Sequence, residues 1–208
     1  MKLNEFNSGF YHPIFSQSIE DFHIKNDIYY DMKNRYDMES QPIEYLLYQK
    51  SFIDSVQWHM EDIVRDPEIE PSNALTLKRR IDKWNQERND LVEKIDAWFL
   101  QFLTDIKPQT DAKMNSESPA WIIDRLSIME QKIYHMHLET IRKDASEDHI
   151  AKCKVKYNTL LEQYQDLSQC LTELIEDILS GKKYMKVYRQ MKMYNDPTMN
   201  PVLYKKSN

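Results

Sequence analysis

Two glycines, Gly9 and Gly181, are all that this 208-residue chain contains. A phosphate-cradling loop needs several, so P-loop and dinucleotide-binding folds are excluded. Hairpin turns draw on glycine as well, which makes an all-β fold a poor expectation. Cysteine is equally scarce, with only Cys153 and Cys170. On one helix they would stand roughly 25 Å apart, far beyond disulfide reach. A reducing, cytoplasmic setting is the natural expectation. Long apolar runs are missing: no stretch of about 18 apolar residues is present to span a membrane. The first residues, MKLNEFNSGF, carry no apolar run of the signal-peptide kind. A positive excess is missing too. With 28 basic and 34 acidic side chains the net charge is −6, which argues against general nucleic-acid binding.

What is present is helix. Hydrophobic residues make up 41% and charged residues 30%, the balance of a globular chain rather than a disordered one. The spacing predicts a first helix over Ser18–Asp37 and a second from Pro42 to about Arg65. A third, N-capped by Ser72, reaches Leu103, and a fourth enters through Ser118-Pro119 and runs to about Lys143. A fifth opens at Ser146 with Glu147 and Asp148 and stops at Gly181. A short basic helix is expected over Lys182–Tyr194, and the end of the chain is expected to be extended. The expected fold is an all-α, antiparallel bundle of about five long helices in a single domain over 1–208. The bundle itself is placed at 18–181 and a basic, Tyr-rich tail at 182–208.

The fifth helix is the cleanest element. Ile150, Cys153, Tyr157, Leu160, Tyr164, Leu167, Leu171, Leu174 and Ile178 recur at spacings of three and four, with charges kept off the line. The other stripes are interrupted. In the third helix Leu77, Ile81, Trp84, Leu91, Ile95, Phe99 and Phe102 align, yet Arg88 falls among them with Asn85 at the edge. In the fourth, Arg125 and Lys132 fall inside the arc of Ile122, Leu126, Met129, Ile133 and Met136. In the first, Asn26 and Lys33 stand between Phe22, Tyr29 and Tyr36. A buried cation without a partner costs several kcal/mol. These cations therefore meet acids such as Glu61, Asp62, Asp82 or Asp124, or extend their stems so that the charge reaches water, or serve a bound anion.

The stretch QWHMEDIVR in the second helix concentrates the remaining chemistry. Leu46, Ile53, Val56, Met60 and Ile63 form the apolar stripe with His59 at its margin, while Trp58 points nearly opposite. A Trp on the back of an amphipathic helix implies that another helix or a partner subunit covers that face. Glu61 and Arg65, four apart in the favourable order, form a routine surface pair. No metal site is expected. His59 and Glu61 are about 200° apart on a helix; His59 with Asp62 makes only two ligands. The single Glu-x-x-His, Glu20 to His23, is half of what a di-iron bundle needs. His135 and His137 diverge and read as separate surface histidines. Both cysteines lie on or beside the fifth-helix seam, where a thiol is inert. The start of the fourth helix, NSESPAW, offers free amides to an anion.

Four segments carry a resemblance: QWHMEDIVRDP, LKRRIDKWNQERNDLVEKID, NSESPAWIIDRLSIMEQKIYHM and KYMKVYRQMKMYNDP. Together and in order they resemble the bacterial domain-of-unknown-function family 4254. The resemblance implies a small cytoplasmic bacterial protein of no established activity, with members often encoded beside glycosyltransferases. It marks His59, Glu61, Asp62, Arg65, Asn85, Arg88, Ser116, Glu117, Asp124, Arg125 and Lys132 as motif positions. Two departures stand out: bulky Trp121 after Ala120 where small residues are expected, and Glu130-Gln131 where apolar ones are.

The expected function is binding of a small anionic metabolite, a phosphorylated sugar or nucleotide-sugar, between the helices. Arg88, Arg125, Lys132 and Asn85 would hold it, His59 and Asp62 would act as acid and base, and Glu61, Asp124 and Ser116 would support them. The sequence assigns no reaction and no cofactor. The alternative is a non-enzymatic interaction module, a homodimer through the Trp58 face or the partner of a glycosyltransferase.

Overall fold

Of the five long helices, four form where the sequence places helix starts. A computed structural model describes residues 2–189, 193 and 196–205 of the chain. The helices are α1 (Ser8–Lys25), α2 (Pro42–Ile63), α3 (Pro71–Leu103), α4 (Pro119–Thr140) and α5 (Glu147–Leu179), and the fold is all-α. Pro42, Pro71 and Pro119 each occupy the first turn, where a missing N–H costs nothing. The third helix therefore starts one residue before the expected Ser72 cap. Ser146 caps α5 by accepting from the His149 amide, with Glu147 and Asp148 against the positive end of the helix dipole.

The first helix lies about ten residues earlier than its pattern suggests. Asn7 accepts from the Gly9 amide and opens α1; Asn26, left-handed at φ 48°, closes it by donating to the Phe22 carbonyl. Pro13 lies inside this helix. Its ring should cost about 3 kcal/mol or more, and burial of Tyr11, Ile14, Phe15 and Ile19 outweighs that. Residues 26–41 form a loop rather than a second half of the helix, and Tyr29 within it is exposed. The loop is fastened by Arg35 on Asp21, which also accepts from the Tyr48 hydroxyl at 2.7 Å. The core thus starts ahead of residue 18: Leu3 and Phe6, in and after a 3-10 turn at Leu3–Glu5, are buried, and Phe6 meets Trp98 and Phe99.

α2 packs on α1, α3 and α4, and α4 packs on α1, α2, α3 and α5. The main core joins Phe15, Leu47, Ile95, Phe99, Ile123 and Leu126 to the α5 seam residues Leu171, Leu174 and Ile178. A second cluster, with Phe22, Phe52, Val56, Met60, Leu77 and Ile81, closes α1, α2 and α3 together. The α5 seam is as expected, with Cys153 buried on it and Cys170 exposed beside it. Three positions of the expected apolar stripes are exposed, Tyr29 at 70%, Ile63 at 44% and Phe102 at 39%.

The basic segment after α5 is not helical over 182–189. Gly181, left-handed at φ 74°, ends α5. Its carbonyl accepts from Gln109 at 2.9 Å, and β2 (Lys183–Tyr184) pairs in parallel with β1 (Lys113–Met114). The loop before α4 competes for this backbone and wins it. Residues 190–192 and 194 of the expected basic helix lie outside the described residues. A single helical turn, α6 (Pro201–Tyr204), stands where extended chain was expected. Among the described residues, no helix is long and apolar enough to cross a membrane.

Candidate functional site

α2 and α4 face each other with polar residues that a one-sided helix pattern assigns to solvent. On α2 these are Lys50, Ser51, Asp54, Ser55 and Gln57; on α4 they are Asp124, Ser127, Glu130 and Gln131, and all are buried. Lys50 is fully buried. Its ammonium bonds Asp54 one turn along and lies 3.1 Å from Asp124. Ser127 donates to Asp54 at 2.6 Å, and Gln131 donates to Ser55 Oγ at 2.7 Å and to the Ser51 carbonyl at 3.2 Å. Burial pushes the Asp54 carboxyl up from its ordinary range, and the Lys50 charge opposes that shift. Lys50 stands here between two carboxylates, and Asp54 Oδ1 and Asp124 Oδ1 keep no hydrogen-bond partner among the described residues.

A cleft of about 320 Å³ opens beside this seam between α2, α3 and α4. Asp54, Gln57, Trp58, Glu61, Asp62 and Arg65 line it from α2, Asn85 and Arg88 from α3, and Ile128 and Gln131 from α4. Gln57 donates to Asn85 Oδ1 at 2.9 Å. Arg88 Nε lies 3.6 Å from Asp124 Oδ1, close enough for attraction but too long for a hydrogen bond. Asp54 Oδ1, Gln57 Oε1, Gln131 Oε1 and Arg88 Nε are buried and have no hydrogen-bond partner. Arg65 binds Glu61 at 2.6 Å on the exposed rim.

The expected site residues divide. Asn85, Arg88, Glu61 and Asp62 meet on this cleft, with Asp124 behind Arg88. Arg125 and Lys132 do not join them. Both are exposed; Arg125 pairs with Glu117 at 3.1 Å, and Lys132 lines a different, more apolar cleft with Trp58, Met136 and Leu160. The buried face of α4 sets Asp124, Ser127, Glu130 and Gln131 beside Ile122, Ile123 and Leu126, so the stripe read from its large apolar residues is rotated from it and wrongly includes both cations. Ser116 is exposed in the loop before α4. The N-terminus of α4, expected to offer free groups to an anion, already holds an internal one. Ser118 Oγ donates to Asp96 at 2.9 Å, and the Ala120 amide adds to it. Burial nevertheless pushes the Asp96 carboxyl up to about 6, with those two hydrogen bonds pulling the other way.

His59 is absent from the cleft. Its ring stacks on Phe22, and its Nε2 lies 3.2 Å from His23 Nε2, so it forms no acid–base pair with Asp62 across the cleft. Trp58 is covered from within the chain, stacking on the His135 ring at 4.6 Å and 5°. Glu130 and Gln131, the departure toward polarity in α4, are both inside: Glu130 pairs with His12, which its carboxylate pushes up from the ordinary imidazole value.

Sequence reasoning missed Lys50, Asp54, Gln57 and Gln131. One signal was available. Over α2 as a whole Leu47 and Trp58 fall on the side opposite Phe52, Val56 and Met60, the mark of a helix covered on more than one face.

The arrangement of the cleft is carried by segments that also define a family. The family model described as a protein of unknown function (DUF4254) matches residues 44–187. The chain belongs to the DUF4254 family. The matched region of this DUF4254 protein contains every residue that lines the cleft. No solved structure matches the chain.

Proposed function

We propose that the cleft between α2, α3 and α4 binds a small polyhydroxylated metabolite, of the size of one sugar unit, carrying an anionic group such as a phosphate. The observation that carries this reading is the polar wall of the cleft, where Gln57 and Asp62 from α2 and Asn85 and Arg88 from α3 face one space beside Trp58. A ligand rich in hydroxyl groups suits such a mixed wall of donors and acceptors. Trp58 offers a flat apolar wall to the C–H face of a sugar ring.

The charge of the wall limits the anionic part. Asp54, Glu61 and Asp62 stand against Arg65 and Arg88, and Lys50 offsets Asp54 from behind. One anionic group can be met by the Arg88 guanidinium; the three-cation cradle of Arg88, Arg125 and Lys132 is not formed. At about 320 Å³ the space sits at the small end of ligand pockets, which favours a sugar phosphate over a nucleotide-sugar.

Thermal-shift titration with monosaccharides and their phosphates tests the reading. A binder present at about 100 times its Kd should stabilise the wild type by about 2.7 kcal/mol. The shift should vanish in Gln57→Leu and weaken in Arg88→Met. No stabilisation by any neutral or phosphorylated sugar at millimolar concentration would sink the proposal.

A further inference from the structure

Three histidines far apart in sequence, His23 on α1, His59 on α2 and His135 on α4, bring one ring nitrogen each within 4.8 Å of one another. The two Nε2 atoms of His23 and His59 are 3.2 Å apart. Two imidazole nitrogens bound tetrahedrally to one zinc-sized ion, each at about 2.0–2.1 Å, stand roughly 3.3 Å apart. The third nitrogen then needs to close by at most about 1.5 Å. His23 Nδ1 is 2.7 Å from the Ile19 carbonyl and can only be its donor, which leaves the Nε2 lone pair free to coordinate. His135 Nε2 is buried with no hydrogen-bond partner. Packing fixes the rings: Phe22 stacks on His59, Trp58 on His135, and Tyr134 lies 4.4 Å from His23.

We infer that His23, His59 and His135 form a binding site for a divalent transition ion of the zinc class, with a fourth coordination position left to water or a ligand. Three imidazoles with an open position make the donor set of catalytic rather than structural zinc. The site lies between two clefts. His59 lines one of about 670 Å³ with Asn26, Ile63 and Leu77; His135 lines the more apolar one of about 530 Å³ with Trp58 and Met136. Burial lowers the affinity of all three rings for protons, which favours the neutral form that metals take up. The charged groups around it are mixed: Asp62 acts on His59 and Glu20 on Tyr134, Asp27 lines the cleft of His59, and Lys132, Glu139 and Lys156 line that of His135. The competing account of the short contact is an N–H···N hydrogen bond from His59 to His23. It leaves His135 Nε2 without a role.

The site is independent of sugar binding, so its test uses the metal alone. Chelator-stripped wild-type protein is titrated with Zn²⁺ and with Co²⁺, and the loaded protein is read by X-ray absorption. One equivalent should bind, the Co²⁺ form should show the intense visible bands of four- or five-coordination, and three imidazoles should appear in the first shell. His59→Gln and His135→Gln should each weaken binding at least 100-fold, with helix content checked by circular dichroism. A second trio, Glu139, His149 and Cys153, is the internal competitor. A sulfur ligand in the spectrum, or binding lost in Cys153→Ser and kept in His135→Gln, overturns the assignment. No uptake by the wild type overturns it as well, and reduces the His23–His59 contact to a hydrogen bond.

Discussion

Lys50 is the residue on which the interior turns. It is fully buried, bonded to Asp54 and 3.1 Å from Asp124. Lys50→Met should therefore leave Asp54 without a cation and Asp124 with only Arg88 at 3.6 Å, at a loss of about 3–5 kcal/mol in urea unfolding. Replacing Lys50, Asp54 and Asp124 together by apolar residues should recover most of that loss, because the pair stabilises little against an apolar filling. Asp96 acts through pH. Its folded value of about 6 lies above the ordinary carboxylate value, so its protonated form is favoured by folding. Its contribution is complete below about pH 4 and is lost as pH rises through about 6, on the order of 2–3 kcal/mol. The difference in stability between wild type and Asp96→Asn, followed from pH 4 to 7, should show that slope. A flat difference would mean that Ser118 and the Ala120 amide hold the carboxyl ionised throughout. None of these roles was legible at a single position. Lys50, Asp54 and Ser127 are ordinary surface residues to any pattern that assumes one wet face per helix.

At the scale of elements, the chain announces its helices by their ends. Pro42, Pro71 and Pro119 mark three starts, and Ser146 and Gly181 bracket α5. The first helix was not legible because Pro13 looks like a boundary, and the packing that overrides it is tertiary. α4 was legible as a helix but not in its rotation, since its buried face mixes Asp124, Ser127, Glu130 and Gln131 with Ile122, Ile123 and Leu126. The junction after α5 allows a direct test. Gly181 has φ 74°, and a Cβ there would approach the Lys107 carbonyl oxygen to 2.9 Å. Gly181→Ala should cost about 1–2 kcal/mol for the left-handed backbone alone, and more as the β1–β2 pairing yields. A drop in melting temperature of several degrees is expected; an unchanged melt would show that the strand pair tolerates a shift of residues 107–109.

At the scale of the molecule, the family and the all-α class were readable because they rest on local spacing and on order along the chain. The candidate sites were only half readable. Arg88, Asn85, Glu61 and Asp62 share a cleft, but Asn85 and Arg88 reach it from a helix other than the one carrying Glu61 and Asp62. The three histidines at 23, 59 and 135 share no spacing at all and meet only after α1, α2 and α4 have packed.

The place of α4 at the centre has a consequence for synthesis. A ribosome finishes α1, α2 and α3 well before it delivers Asp124, Ser127, Glu130 and Gln131. Throughout that interval Lys50 and Asp54 lack the partners that make their burial tolerable, and the nascent chain has reason to stay loose and hydrated along α2. A product ending before Pro119 lacks the helix that packs on all four others, so it should be cleaved by protease far faster than the full chain.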